Sequence, residues 1–495
     1  VLGVSAGAAI VVPAQLRHSS HGLMSEKLDP RLRAVALLVA GCFFMENLDG
    51  TIVLTAAPRI GRALHVPSTS IGLVIAAYLV TLAVLIPLGG WLAERWGARP
   101  VFLTAIAIFT LSSLACALSA SFPELVALRV GQGVGGAMMV PVGRLVVMAR
   151  TPKADILRVM SVLVWPALMA PVVAPLAGGL ITTYASWRWL FLINVPLGVV
   201  ALGFAWRLID SPRFGATPPP LDVPGVLLTC GGLGAATYVA YLLSQTTVAW
   251  TPVVVGAVAG VILLAGGVRH LLRARHPLIN LRTLQAATLR ASIGGGSLFW
   301  TSISAVPFLL ALMFQDVFRW SPVKSGALIL FVFLGNIAIK PATTPLLRRF
   351  GFRPVLIIAT LGAAATMAGC SLLHAGTPLA VIVLVAILNG IGRSICLTCY
   401  ATIAFADTTA DQMRDANTLQ ATAQQLSVGL GPALGAIALR VGGPLGHLLP
   451  GPVQPRSAYA VGFLLLCGVA LTATVAAWRI PTDAGSSVTR RRQAG

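Results

Sequence analysis

Two carboxylates stand three residues apart in the middle of an otherwise apolar run. The run is Ala34 to Ile60, AVALLVAGCFFMENLDGTIVLTAAPRI, and the carboxylates are Glu46 and Asp49, with Asn47 between. About 20 apolar residues cross a bilayer, so this run is long enough to span one. A carboxylate at that depth costs about 3 kcal/mol on insertion scales, and a chain that keeps two has a use for them. Three apart on a helix, they share a face. That face must look into protein or a water-filled cavity, not into lipid. Proton binding is one chemistry open to such a pair; a static carboxylate pair that locks helix packing is the other. Arg129, Lys340 and Arg393 also lie inside apolar runs, so basic groups outnumber acids at membrane depth. Either Lys340 and Arg393 pair with backbone carbonyls, or a cavity they line accepts neutral or anionic compounds.

The elements that must hold these residues follow from composition. Hydrophobic residues make up 57% of the 495-residue chain and charged residues 10%, with mean hydropathy +0.88. No soluble globular domain has that balance; it predicts an all-α polytopic membrane protein. Fourteen apolar runs are long enough to span, from near 34–57 to near 457–478, joined mostly by short connections. The net charge of +21 does not imply nucleic acid, because Lys and Arg gather on the cytoplasmic side of membrane proteins. With the N-terminus inside, about 25 of the 35 Lys and Arg fall inside and about 7 outside, which favours cytoplasmic termini. Trp187 and Trp189 then fall at the outer interface, where aromatic rings sit, and His374 is interfacial.

The same topology pairs Arg129 with Asp49. Span 4 runs inward and span 1 outward, so both residues lie roughly 8–12 Å below the outer surface at about 1.5 Å per residue. A neighbouring Arg favours the charged carboxylate and burial the neutral one. An acid pulled both ways can take up and release a proton. Asp49, Glu46 and Arg129 are therefore the expected proton-coupling group, with a static Asp49–Arg129 bond as the alternative.

The chain also repeats itself. WLAERWGARPV from Trp91 matches PLLRRFGFRPV from Pro345; Gln132-Gly-Val-Gly135 matches Asn389-Gly-Ile-Gly392; Pro175-Leu-Ala-Gly178 matches Pro432-Ala-Leu-Gly435. The offsets are 254, 257 and 257 residues. Spans 1–6 and 9–14 thus read as two copies of a six-helix unit, with spans 7 and 8 inserted. Repeated halves with a mid-membrane site between them are a common plan of secondary transporters. The expected units are a cytoplasmic segment 1–33, bundles 34–209 and 291–478, a linker with the inserted pair 210–272, an amphipathic segment 273–290 along the inner membrane surface, and a tail 479–495. Val1 to Leu16 lacks the basic start of a signal peptide, and Met24 is the expected natural start. The seven Cys are scattered; Cys396 and Cys399 form a C-x-x-C inside an apolar helix and read as packing residues. Neither a metal nor a nucleophile constellation is present. No GKS or GKT supports a P-loop, and GQGVGG lies in a membrane helix, where small residues serve packing.

Several of these stretches resemble one family. Leu48-Asp49-Gly-Thr-Ile-Val53 with Ala57-Pro58 and Ile60 resembles the first-helix signature of the 14-helix drug:proton antiporters of the major facilitator superfamily. Gly90-Trp-Leu-Ala-Glu94-Arg95-Trp-Gly97-Ala-Arg99 is similar to the superfamily's loop 2–3 motif, and Leu125…Arg129…Gln132-Gly133…Gly135 to its fourth-helix motif. Ala170 to Gly179 resembles the antiporter motif, Trp187…Asn194…Gly198 a stretch typical of the 14-helix group, and Arg275 to Leu281 the family's segment before helix 9. Three positions depart: Glu94 replaces Asp, Ala174 replaces Gly, and Leu54 stands where Asn is frequent. The resemblance implies that fold, with two six-helix halves plus two inserted helices. It also implies a proton-coupled exporter of small amphiphilic compounds in the plasma membrane, acting as a monomer without a cofactor. Gly90, Glu94, Arg95, Gly97 and Arg99 would gate it; Pro171, Pro175, Gly178 and Gly179 would form the hinge or seal of the fifth helix. A specific metabolite exporter or an importer of the same fold, or a membrane sensor without transport, are the other readings.

Overall fold

The computed structural model describes residues 29–148, 151–152, 155–209, 220–245, 248–408, 412–445 and 455–481. The expectations for Val1–Leu16, Met24, residues 210–219 of the linker and most of the tail lie outside them. Sixteen helices cover the described residues. The first seven are α1 (Pro30–Ala63), α2 (Ile71–Trp96), α3 (Ala98–Leu118), α4 (Phe122–Met148), α5 (Ile156–Tyr184), α6 (Trp189–Leu192) and α7 (Asn194–Leu208). Two more, α8 (Val223–Ser244) and α9 (Trp250–Arg273), precede the last seven: α10 (Ala287–Leu312), α11 (Pro322–Ala338), α12 (Lys340–Phe350), α13 (Phe352–Leu372), α14 (Leu379–Ile403), α15 (Met413–Leu445) and α16 (Pro455–Trp478). Taking α6 with α7, thirteen are long and apolar enough to cross a membrane, and the bent pair α11–α12 makes a fourteenth.

Local sequence explains the breaks. Asp29 accepts the Leu32 N–H at 3.3 Å, and Pro30 fills the first turn of α1, where its missing N–H costs nothing. Span 10, expected to be one helix, bends by 48° between α11 and α12. Pro341 there has no N–H for the Ile337 carbonyl, and its ring disfavours a continuous helix. Gly97 and Gly351 begin α3 and α13 at φ +93° and +78°, a region that strains residues with a Cβ. They are 254 residues apart, the same offset as the motif around them.

Packing follows the repeat. In the first half α1 lies on α5, α2 and α3 on α4, and α3 on α7; in the second α10 lies on α15, α11 and α13 on α14, and α13 on α16. The halves meet where α2 crosses α15 and α5 crosses α11. Both crossings sit toward the end opposite Pro30 and Trp478, hereafter the far end. A Cβ on Gly72 would stand 3.4 Å from the Pro432 carbonyl oxygen, and one on Gly326 would stand 2.8 Å from the Pro175 carbonyl carbon. Gly326 and Pro432 are the repeat partners of Gly72 and Pro175, so one seal is built twice. Gln315 adds a bond across the halves, donating to the Thr55 carbonyl at 2.7 Å.

The inserted pair α8–α9 packs through α8 on both α2 and α15. At the far end Gln245 donates to Ser70 (3.1 Å), and Arg440 of α15 donates to the Leu243 carbonyl (2.6 Å). The segment 273–290, expected to be amphipathic, links α9 to α10. It is a strap with one short turn (Leu281–Gln285), docked on the second half by Ile279, Leu281 and Leu284 against Leu289 and Leu419. Ile279 is buried there, and Leu278, Leu281 and Leu284 are partly buried. Asp222 caps α8 through the Gly225 N–H (2.9 Å), accepts the Leu278 N–H (3.0 Å) and lies 2.6 Å from His270 Nε2. Asn280 reaches Asp415 of α15 at 2.7 Å. The expected interface aromatics also divide: Trp189 is exposed, whereas Trp187 is buried edge-on against Phe191.

Candidate functional site

Asp49 is fully buried inside the first half, on the face of α1 that meets α4 and α7. Arg129 of α4 pairs with its Oδ2. Gln132, one turn further along α4, donates to Oδ1 at 3.0 Å, and Asn194 at the start of α7 donates to the same oxygen at 2.8 Å. Gln132 also donates to Ser113 of α3 at 2.7 Å and accepts from Arg129 at 2.7 Å. Every bond Asp49 makes is accepted, which is the pattern of an ionised carboxylate. The guanidinium lies 4.2 Å from the Tyr78 ring centroid, a cation–π contact that favours its charge. Sequence reading singled out Asp49 and Arg129 and quoted Gln132 and Asn194 only within motifs; it missed their convergence on one carboxylate.

Glu46 shares the face only in part. One turn earlier on α1, it points to a cavity of about 160 Å³ between the halves. The cavity is lined by Glu46, Asn47 and Tyr78 from the first half and by Phe333, Arg393 and Gln425 from the second. Tyr78 touches both sites: it lines the cavity, stacks over Arg129 and donates to the Glu46 carbonyl at 3.3 Å. On each helix that contributes to both, the seal lies on the far-end side of the cavity. On α1 Thr55 follows Glu46, on α5 Gly179 follows Pro171, in the turn after α10 Gln315 lies beyond Pro307, and on α11 Gly326 precedes Phe333. The molecule is therefore closed at the far end.

The remaining residues expected to be functional are dispersed. Pro171 lines the cavity. A Cβ on Gly178 would stand 2.7 Å from the Ile52 carbonyl oxygen of α1, and one on Gly179 would stand 3.0 Å from Val323 Cα of α11. Gly178 thus allows packing within a half and Gly179 between halves. At the α2–α3 turn Arg99 donates to the Trp206 carbonyl at 2.8 Å and lies over its ring, tying α3 to α7; Glu94 is half-buried, Arg95 exposed, and Gly90 faces open space. Lys340 is not part of the cavity wall and donates to Thr398 at 3.2 Å. Arg144 of α4, which sequence reading did not single out, interacts electrostatically with Glu46. No cluster of three or more metal-ligating side chains occurs among the described residues. Cys396 and Cys399 are buried and free.

A family model described as Major Facilitator Superfamily matches residues 39–432. A relative from Klebsiella pneumoniae, named as the multidrug resistance protein MdtD, is 32% identical over 92% of this chain and 96% of its own length. One from Cronobacter sakazakii with the same name is 35% identical over 83% and 86%. Among solved structures, the POT family transporter PepTSo superposes with TM-score 0.66 at 15% identity, covering 91% of this chain and 97% of its own. A D-xylose-proton symporter gives TM-score 0.64 at 14% identity, covering 92% and 99%. At such identities these two structures speak for the fold alone.

Proposed function

This chain belongs to the major facilitator superfamily, and we propose that it is a proton-coupled exporter of small amphiphilic compounds working by alternating access. At the coarser level it is a multi-pass membrane transporter of multidrug type, the class named by relatives that match it over most of its length. The observation that carries the proton reading is Asp49: a buried carboxylate held by three donors, one of which, Arg129, lies against the Tyr78 ring that lines the inter-half cavity. Protonation would remove the charge that holds Arg129, Gln132 and Asn194 together. Those three residues sit on α4 and α7, so a proton at Asp49 changes how α1 packs in its half. Tyr78 conveys that change to the cavity.

In this reading the termini face the cytoplasm of a plasma-membrane protein that acts as a monomer, and the far end is the outer end. The cavity then belongs to a cytoplasm-facing state, with the paired Gly72–Pro432 and Pro175–Gly326 crossings as its outer gate. Glu94, Arg95 and Arg99 act at the opposite gate, where Gly90 and Gly97 leave room for the turn. Pro171 and Pro175 allow α5 to bend, and Gly178 and Gly179 keep it sealed.

The test uses purified protein in vesicles. An imposed pH gradient should drive accumulation of a fluorescent cationic dye, and collapsing the gradient should stop it. A folded preparation that moves no compound from a broad panel under any gradient overturns the reading.

A further inference from the structure

The cavity carries opposite charges from different halves. Glu46 belongs to α1 and Arg393 to α14, and both line it. Glu46 is 8% exposed. Its Oε2 and the Nε of Arg393 are buried without a hydrogen-bond partner. Other charges nearby do not pair with them. Asp49 is taken by Arg129, Lys340 is turned to Thr398, and Arg144 acts on Glu46 from an exposed position on α4 without a bond to it. A buried polar group left without a hydrogen-bond partner is costly, so two at one cavity call for a partner that arrives from outside.

The chemistry of each end is distinct. A guanidinium offers a planar fork of donors that matches a carboxylate. A carboxylate accepts from an ammonium. Phe333 also lines the cavity, its ring centroid 5.5 Å from the Arg393 guanidinium, and an aromatic body can stack on such a ring. The cavity volume of about 160 Å³ is close to that of an engineered protein cavity of about 150 Å³ that holds benzene.

We propose that this cavity selects amphoteric solutes: a small aromatic body with a carboxylate directed to Arg393 and a protonated amine directed to Glu46. One molecule then bridges both halves, and a proton on Glu46 would release its cationic end. This narrows the substrate class of the transport reading above and rests on it.

The test is a matched series: 4-(aminomethyl)benzoate, its methyl ester and its N-acetyl derivative, which are zwitterion, cation and anion on one ring. Binding to the purified full-length protein is followed by intrinsic tryptophan fluorescence and by thermal shift. The zwitterion should bind about tenfold or more tighter than either relative, the size expected for one lost charged hydrogen bond. Arg393→Gln should lower zwitterion affinity to that of the ester and leave the ester unchanged, with Arg393→Lys recovering part of the loss. Glu46→Gln should lower it to that of the N-acetyl compound. Equal affinity of wild-type protein for all three, or a parallel loss of all three in Arg393→Gln, overturns the inference. If the cationic dye is still pumped while the three bind alike, only this inference fails. If the zwitterion is preferred but no gradient moves any compound, the transport reading fails instead.

Discussion

Asp49 is the residue whose replacement separates folding from coupling. Removing one partner of a buried ion pair costs about 3–5 kcal/mol because the other charge is stranded. Asp49→Asn keeps the shape and still accepts from Gln132 or Asn194, so part of that cost is offset. The variant should therefore reach the membrane folded, with reduced thermal stability, and lose uphill efflux under a pH gradient. Undiminished uphill efflux in vesicles would remove Asp49 from the coupling step. Asp222 lies outside the spans and gives a second prediction at this scale. Desolvation raises its pKa, but the Leu278 and Gly225 N–H groups and His270 outweigh it and hold the carboxyl below its ordinary value. A carboxylate depressed in the folded state contributes stability above its unfolded pKa of about 3.9, and that contribution is lost as pH falls through the folded value. Asp222→Asn should lower neutral-pH stability by about 1–2 kcal/mol and abolish this acid-dependent step. Thermal unfolding followed from pH 7 downward checks both; identical profiles for variant and wild type would mean that the strap is held by its leucines alone.

At the scale of elements, glycine faces a carbonyl at two related far-end crossings, and at Gly326 there is no room for a Cβ. Overpacking such a contact costs about 1–3 kcal/mol. Here the cost falls only on the conformation in which α11 touches α5, so it shifts the balance between conformations by about 5- to 150-fold. Gly326→Val should therefore open the far end. Thr55 is fully buried at that end, so a cysteine placed there in an otherwise cysteine-free chain should react faster with a membrane-impermeant maleimide when Gly326→Val is present. An unchanged labelling rate would show that α5 and α11 adjust without opening. The same logic explains why α11 and α12 are two helices: Pro341 breaks the span below the seal and lets Lys340 turn to α14.

At the scale of the whole molecule, two pseudo-equivalent halves meet at one end and leave a charged cavity on the other side of that contact. The inserted pair lies across the α2–α15 seam and is bonded to both halves there through Gln245, Leu243 and Arg440. The basic bias of one side predicts that both termini face the cytoplasm. Tags at either terminus should be protected from added protease in intact cells and cleaved in inverted vesicles. Cleavage of both in intact cells would reverse the assigned direction of the cavity.

Hydropathy, the repeat offset and the intramembrane charges were enough to determine the helical class, the two-half plan and the Asp49–Arg129 pairing. Each depends on period, length or depth along a helix, quantities a sequence carries directly. Gln132 was within reach as well, since it lies three residues from Arg129 and shares its face. Only tertiary structure decided that Asn194 joins them, because its side-chain direction is set by the break between α6 and α7. Packing also sent Glu46 and Asp49, one turn apart on one helix, to different places. Asp49 faces α4 and α7 within its own half, while Glu46 faces the other half across the cavity. Rotation about the α1 axis relative to its neighbours fixes that division, and no spacing within α1 encodes it. For the same reason depth alone could not separate Arg393, which lines the cavity, from Lys340, which a proline-induced bend carries to Thr398.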